Sequence, residues 1–153
     1  MNSTTAPSAS RSIRRVDTLL AHYGQSHQNP KNELIHFIAI PLIMLSLIGM
    51  MFALHPNVAS IFVAASMVYY ARLSVVFLGA MLVWSAILLV LVLAMGPFVL
   101  QLSVVIFIGA WILQFVGHKM EGKKPSFFED LQYLWVGPLF VLSKLFTKLG
   151  WRW

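Results

Sequence analysis

The sequence predicts an all-α, polytopic membrane helix bundle with about four transmembrane helices and an interfacial or re-entrant C-terminal segment. Two observations predict this fold class. Of the 153 residues, 59% are hydrophobic and 10% are charged, whereas soluble domains carry about 25% charged residues. The mean hydropathy is +0.79, and the apolar residues fall into stretches near the ~20 residues that a helix needs to cross a bilayer. We expect a single membrane domain over residues 13–153.

The region before the first apolar stretch is polar. Residues 1–12 are rich in Ser and Thr, which predicts a disordered tail. Residues 13–23 place their apolar side chains on one helical face, which predicts a short amphipathic helix at the membrane surface. We expect no cleavable signal peptide, because residues 1–33 contain no apolar core. The absence of cysteine excludes disulfides and thiolate metal ligands.

The predicted spans are at about residues 34–54, 58–71, 73–95 and 98–116. The apolar stretch from 58 to 95 is too long for one span, and Arg72 within it would be costly at membrane depth. We therefore divide it into a short helix, a turn at Arg72 and a full span. Pro41 is expected to kink the first span. Gly79 and Gly109 are expected to allow close approach between helices.

Basic residues are distributed unevenly among the loops. They precede the first span, separate the second from the third and follow the fourth, at Arg11, Arg14, Arg15, Lys31, Arg72, Lys119, Lys123 and Lys124. The opposite turns, at residues 55–57 and 96–97, contain none. By the positive-inside rule, this pattern predicts an even number of spans with both termini cytoplasmic. The membrane would be the inner membrane of a bacterium or the endoplasmic reticulum of a eukaryote. The same pattern explains the net charge of +6 without a nucleic-acid partner.

Residues 126–150 are predicted to be interfacial or re-entrant rather than spanning. Their apolar part is short and is interrupted by Gly137 and Pro138. If this part spanned, the basic residues after it would move to the other side and break the charge asymmetry. Trp135, Trp151 and Trp153 are the expected interfacial anchors.

The predicted topology gathers most ionisable side chains on one side of the membrane. On or just inside the cytoplasmic side lie His22, His27, His36, His118, Glu33, Glu121, Glu129 and Asp130. Asn32 and His36 are spaced i, i+4 and share one helical face. Gln114, His118 and Glu121 are spaced i, i+4, i+7 on another helix. Imidazoles and a carboxylate that converge from two helices suit Fe(II) with open coordination positions. Zinc accepts the same ligands, so spacing alone does not separate the two metals.

The alternative is that these histidines are ordinary polar residues at headgroup level. This is the usual role of a lone interfacial histidine, and it is the interpretation that we prefer for His22 and His55. His36 and His118 lie closer to the apolar boundary, where an ionisable side chain is a functional hypothesis by default.

Two motifs resemble the signature blocks of a known family. They are YGQSHQNPKNELIHFIAIP at residues 23–41 and QFVGHKMEGKKP at residues 114–125. Both are similar to blocks of the fungal endoplasmic-reticulum 2-hydroxy fatty acid dioxygenase family, which acts in phytosphingosine breakdown, and of its bacterial relatives. The resemblance extends over nearly the whole chain after residue 15, including the segments YYARLS and PSFFEDLQYLWVGPLF.

The resemblance implies an Fe(II)-dependent α-oxidation. A long-chain 2-hydroxy fatty acid would react with dioxygen and give a fatty acid shorter by one carbon, in contact with membrane lipids. The family's metal-binding and catalytic positions match His27, His36, His118 and Glu121, with Glu121 either a fourth ligand or a partner that fixes an imidazole. Asn32 and Gln114 are candidates to support the cofactor site by hydrogen bonds, and Lys123 or Lys124 to pair with the substrate carboxylate. Fungal members place one more residue between the histidine and the glutamate of the second block. The shorter spacing here resembles the bacterial branch.

Two other functions fit the sequence. One is a non-enzymatic lipid-binding or scaffolding membrane protein whose histidines only line the interface. The other is a zinc-dependent lipid hydrolase that uses the same ligands.

Overall fold

The structure is a computed structural model that describes residues 14–25, 27–122 and 133–153. The predicted N-terminal tail, Lys123, Lys124, Glu129 and Asp130 lie outside the described residues. Within the described part every regular element is helical, which confirms the all-α class. The elements are α1 (Arg15–Gly24), α2 (Pro30–Leu54), α3 (Pro56–Ala71), α4 (Val75–Ala94), a 3-10 turn (Gly96–Phe98), α5 (Val99–Met120) and α6 (Val136–Lys148).

Local capping sets the start of α2 and of α3. The Asn29 side chain accepts a hydrogen bond from the Lys31 backbone N–H at 2.9 Å, and Pro30 occupies the first helical position. Helix α2 therefore begins four residues before the predicted start of the first span. At α3, His55 Nδ1 accepts from the backbone N–H of Asn57 at 3.1 Å. His55 is thus a helix cap, and its position at headgroup level stays a prediction.

Helices α2 and α5 are antiparallel neighbours in contact at two close approaches. A Cβ placed on Gly49, near the end of α2, would lie 2.1 Å from Ser103 Oγ, near the start of α5. A Cβ placed on Gly117, near the end of α5, would lie 2.3 Å from Asn32 Oδ1 at the start of α2. A larger residue at either position would force these side chains to shift, so glycine is what permits the close contact between the two helices.

Contacts at the ends of α3 and α4 define the directions in which these two helices run relative to α6. Tyr70, at the end of α3, donates to the backbone carbonyl of Trp135 at 3.2 Å, next to the start of α6. Phe77, at the start of α4, lies 5.8 Å from Phe146 of α6 between ring centroids. Val92, near the end of α4, lies beside Gly49. Helices α2 to α5 therefore run alternately away from α6 and back towards it.

Three of the helical segments are long and apolar enough to cross a membrane. They are Pro30–Leu54, Val75–Ala94 and Gly96–Met120, with mean hydropathies of 2.5, 2.8 and 2.2. Helix α3 has 16 residues and is about 24 Å long at 1.5 Å per residue, less than the ~30 Å hydrocarbon core. The chain is therefore membrane-associated, whereas the predicted count of four spans depends on α3 and stays a prediction.

Helices α1 and α6 pack together at the end of the bundle where α2 starts. Val16 and Tyr23 are the buried residues of α1, and residues 136–143 of α6 are all buried. Helix α6 has 13 residues, about 20 Å, and is too short to cross a bilayer. The predicted interfacial or re-entrant segment thus contains a short helix that is packed onto one end of the bundle.

The prediction for Gly79 and Gly109 is wrong. A Cβ on either residue would meet no atom of the described part of the chain within 4 Å. Both residues face outward, and Gly49 and Gly117 make the close approaches instead. The sequence contains glycines on several helices, but it does not define which helical face meets a neighbour.

Candidate metal centre

Three histidines from three parts of the chain meet at the α6 end of the bundle. His27 lies in the turn between α1 and α2, His36 lies on α2 and His118 lies on the last turn of α5. One ring nitrogen from each lies within 4.8 Å of the others. Two nitrogens bound to one tetrahedral ion at about 2.1 Å lie ~3.4 Å apart. A shared ion would therefore draw the ring nitrogens together by about 1.4 Å at most.

The hydrogen bonds of the first two histidines fix their tautomers. His27 Nδ1 lies 2.9 Å from the backbone carbonyl oxygen of Tyr23, and His36 Nδ1 lies 2.9 Å from that of Asn32. A carbonyl oxygen only accepts, so in both rings Nδ1 carries the proton and donates. In the neutral form of each ring the lone pair is then on Nε2, and this is the form in which a histidine binds a metal.

His36 supplies the strongest indication that the group holds a ligand. Its side chain is 0% exposed, and among the described residues its Nε2 has no hydrogen-bond partner. A buried polar atom left unsatisfied costs about 1–3 kcal/mol. Its ring centroid lies 4.2 Å from that of His27 and 5.2 Å from that of His118, with the rings edge to face. Three closely packed imidazoles, with an unsatisfied nitrogen on His36, fit a divalent metal ion of the Fe(II) or Zn(II) type.

Glu121 lies beside this group and binds the backbone instead. Its Oε1 accepts from the backbone N–H of Gln28 at 2.7 Å, and its Oε2 accepts from that of Asn29 at 2.9 Å. Its Oε2 also accepts from Asn32 Nδ2 at 3.0 Å. Desolvation alone would raise the pKa of this carboxyl, but the hydrogen bonds that it accepts hold the pKa below its usual value. Glu121 therefore fixes the turn that carries His27 and the residue whose carbonyl orients His36.

Asn32 and Gln114, predicted from spacing alone, are both buried near the histidines. Asn32 is 0% exposed. Its side-chain amide donates to Glu121, and its backbone carbonyl accepts from His36 Nδ1. Gln114 is 4% exposed, and its Oε1 has no hydrogen-bond partner in the described part of the chain. His22 is not a member of the three-histidine group; its Nδ1 lies 2.7 Å from the Tyr133 hydroxyl, and the pair is exposed.

Two aromatic residues at the site were missed by the sequence reasoning. Tyr23 stacks on His27 at 4.3 Å between ring centroids and 15° between ring planes. Phe140 of α6 lies 5.5 Å from the same imidazole. Tyr23 lies within the first signature block, which was a usable signal. The contact of Phe140 depends on how α6 folds back, and no local pattern indicates it.

Fold and site together define a helical membrane-associated protein with a buried three-histidine group suited to a metal ion. A family model described as "2-hydroxy-palmitic acid dioxygenase Mpo1-like" matches residues 13–149. The chain is also 31% identical over 139 residues to the 2-hydroxy-palmitic acid dioxygenase MPO1 of Saccharomyces cerevisiae. That match covers 86% of this chain and 79% of the yeast protein. No solved structure matches the chain. The chain therefore belongs to the Mpo1-like family, as the two motifs predicted.

Proposed function

We propose that the protein is an Fe(II)-dependent dioxygenase that converts a long-chain 2-hydroxy fatty acid to the fatty acid one carbon shorter. The family and the name of the yeast relative support an oxidoreductase of this substrate class. The observation that carries the proposal is the buried group of His27, His36 and His118, with two Nε2 lone pairs fixed by Nδ1 hydrogen bonds.

The three histidines would hold the iron. Three imidazole ligands leave coordination positions open, so bound Fe(II) would supply a site at which dioxygen and the oxygens of a 2-hydroxy acid come together. Glu121 and Asn32 act as positioning residues, because they orient His36 and the turn of His27 without joining the group of three.

Most of the surface of the three histidines is shielded from water. The three side chains are 0 to 6% exposed, and Tyr23 and Phe140 cover the His27 ring. A low-dielectric surrounding of this kind protects an oxidising site from side reactions with solvent. The open side of His27 is lined by Glu33 and Lys144, which form an ion pair of 2.9 Å.

The proposed topology puts this site at the cytoplasmic face, with both termini on the same side. The basic loops of the sequence support this orientation, and so does the alternating course of α2 to α5. Under this arrangement the acyl chain lies among the membrane helices and the carboxylate lies near the cytoplasm.

The reaction balances without an external reductant. A 2-hydroxy acid and dioxygen give the shortened acid, carbon dioxide and water. The bond between C1 and C2 breaks, C2 becomes the new carboxyl carbon, and dioxygen accepts the four electrons. The test is therefore oxygen uptake by iron-loaded protein with 2-hydroxy-palmitic acid and no added reductant, together with mass spectrometry of the product.

We expect equal molar amounts of oxygen consumed and shortened acid formed, and loss of both in His36→Ala. His55→Asn is the matched control, since asparagine preserves the helix cap while removing an imidazole. Lipid binding with no turnover at any metal loading would instead identify a non-enzymatic lipid-binding protein. Turnover of a lipid ester by the zinc form, with no oxygen uptake, would identify a hydrolase.

A further inference from the structure

A narrow apolar crevice of about 20 Å³ lies between α2 and α5, beside the histidine group. Its walls come from one face of each helix, at Ile40, Ile43 and Leu47 on α2 and at Phe107, Trp111 and Gln114 on α5. The spacings i, i+3, i+7 and i, i+4, i+7 show that the crevice follows both helix axes. The segment before α6 closes it on a third side at Tyr133 and Leu134.

One end of the crevice adjoins the proposed metal ligands. Ile40 follows His36 by one helical turn, and Gln114 precedes His118 by one turn, so each ligand lies about 6 Å along the axis from the crevice wall. Tyr23 also lines this end and stacks on His27. The other end lies at Leu47 and Phe107, about 10 Å further along the two helices. The crevice thus leads away from the histidines towards the middle of the bundle.

The polar group at the histidine end indicates the chemistry of the occupant. Gln114 is the polar side chain on the α5 wall, and its buried Oε1 has no donor among the described residues. A ligand that satisfies this atom must carry a hydroxyl or another donor close to the histidines. The apolar walls beyond it suit an alkyl chain on the same molecule, and because the crevice is narrow its walls must move apart to admit the chain.

We propose that this crevice is the acyl-chain subsite, that Gln114 Oε1 accepts the hydrogen bond of the substrate's 2-hydroxyl, and that Leu47 and Phe107 set the preferred chain length. The proposal rests on the proposed function for the identity of the substrate. A site that hydrogen-bonds a hydroxyl discriminates strongly against the analogue that lacks it, because its buried acceptor is then left unpaired. Chain length in an apolar crevice is discriminated less strongly, by about 10-fold or more per misfitted group.

The test measures binding under nitrogen, where oxidation does not occur. Wild type and variants in lipid nanodiscs are titrated calorimetrically with 2-hydroxydecanoic, 2-hydroxypalmitic and palmitic acids. In Leu47→Trp we expect at least ~10-fold weaker binding of 2-hydroxypalmitic acid and little change for 2-hydroxydecanoic acid. Phe107→Ala should shift the preference towards longer chains. In Gln114→Leu the preference for 2-hydroxypalmitic over palmitic acid should fall by at least ~10-fold.

Phe98→Ala is the matched control, because Phe98 is 62% exposed and lies outside the crevice. If Leu47→Trp or Phe107→Ala does not fold, the milder variant Leu47→Phe or Phe107→Leu takes its place, and the chain-length preference is expected to shift in the same direction. Equal effects on both chain lengths, or an unchanged hydroxyl preference in Gln114→Leu, would overturn the proposal. Failure of the proposed function is separate: wild type would then consume no oxygen, whatever the binding data show.

Discussion

Replacing Gly117 with alanine should damage the proposed metal site without removing any ligand. A Cβ at this position would lie 2.3 Å from Asn32 Oδ1 and 3.3 Å from Ile35 Cγ2. Asn32 is 0% exposed and its amide is bonded to Glu121, so its side chain has no room to turn away. Helices α2 and α5 must therefore separate by at least about 0.7 Å to bring the closer contact to 3.0 Å.

This separation acts directly on the ligands. His118 follows Gly117 on α5, and His36 on α2 donates a hydrogen bond to the backbone carbonyl of Asn32. The two imidazoles therefore move apart when the helices separate. Metal sites require ligand positions held within about 0.5 Å. We expect a loss of metal affinity of ~10-fold to ~100-fold, as for changes beside a metal's own ligands. Overpacking should also lower the free energy of unfolding by about 1–3 kcal/mol.

Anaerobic titration with Fe(II), together with thermal unfolding in detergent, measures both effects. Gly109→Ala is the matched control on the same helix, since its Cβ meets no described atom within 4 Å. We expect this control to keep its metal affinity and to gain up to ~1 kcal/mol from helix propensity. Wild-type affinity in Gly117→Ala, or an equal loss in the control, would show that this contact does not hold the ligands in position.

Three further outcomes are expected. Glu121→Gln should weaken metal binding by ~10-fold or more, because the neutral amide holds the turn and Asn32 less firmly. Anaerobic titration with Fe(II) measures the affinity, and an unchanged affinity would contradict the positioning role of Glu121. Tyr70→Phe should lower the free energy of unfolding by about 0.5–1.5 kcal/mol, because one part-buried hydrogen bond is lost. Thermal unfolding measures this loss, and titration with Fe(II) should show unchanged metal affinity. The chain has no native cysteine, so single cysteines can be introduced at Gln28, Lys119 and Asn57. An impermeant thiol reagent should label the cysteines at Gln28 and Lys119 from one side of the membrane and the cysteine at Asn57 from the other side. Labelling of Gln28 and Lys119 from opposite sides would exclude the proposed topology.

Much of the fold could be predicted from hydrophobicity, charge and local capping. The long apolar helices α2, α4 and α5 follow the predicted spans closely. The start of α2 differs because hydrophobicity begins at Leu34, whereas the Asn29 cap and Pro30 begin the helix among polar residues. Which helix faces pack together could not be read from composition, as the outward positions of Gly79 and Gly109 illustrate.

The candidate site was predictable where it depends on helical spacing. The i, i+4 spacing places Asn32 beside His36, and the carbonyl hydrogen bond between them has this spacing. His27 lies in a turn, so its proximity to the other histidines was implied by family resemblance and not by periodicity. The partners of Glu121 depend on the path of that turn. The role of these residues in binding iron stays a prediction.

The metal stoichiometry of the purified protein tests most directly whether His27, His36 and His118 form one iron site. The protein is loaded anaerobically with Fe(II), passed over a desalting column and analysed by elemental mass spectrometry beside the single alanine variants and His55→Asn. We expect one iron per chain in wild type and in His55→Asn, and loss of iron in each of the three alanine variants. Iron that stays bound in His36→Ala and His118→Ala, or a wild type that binds none, would contradict the proposed centre.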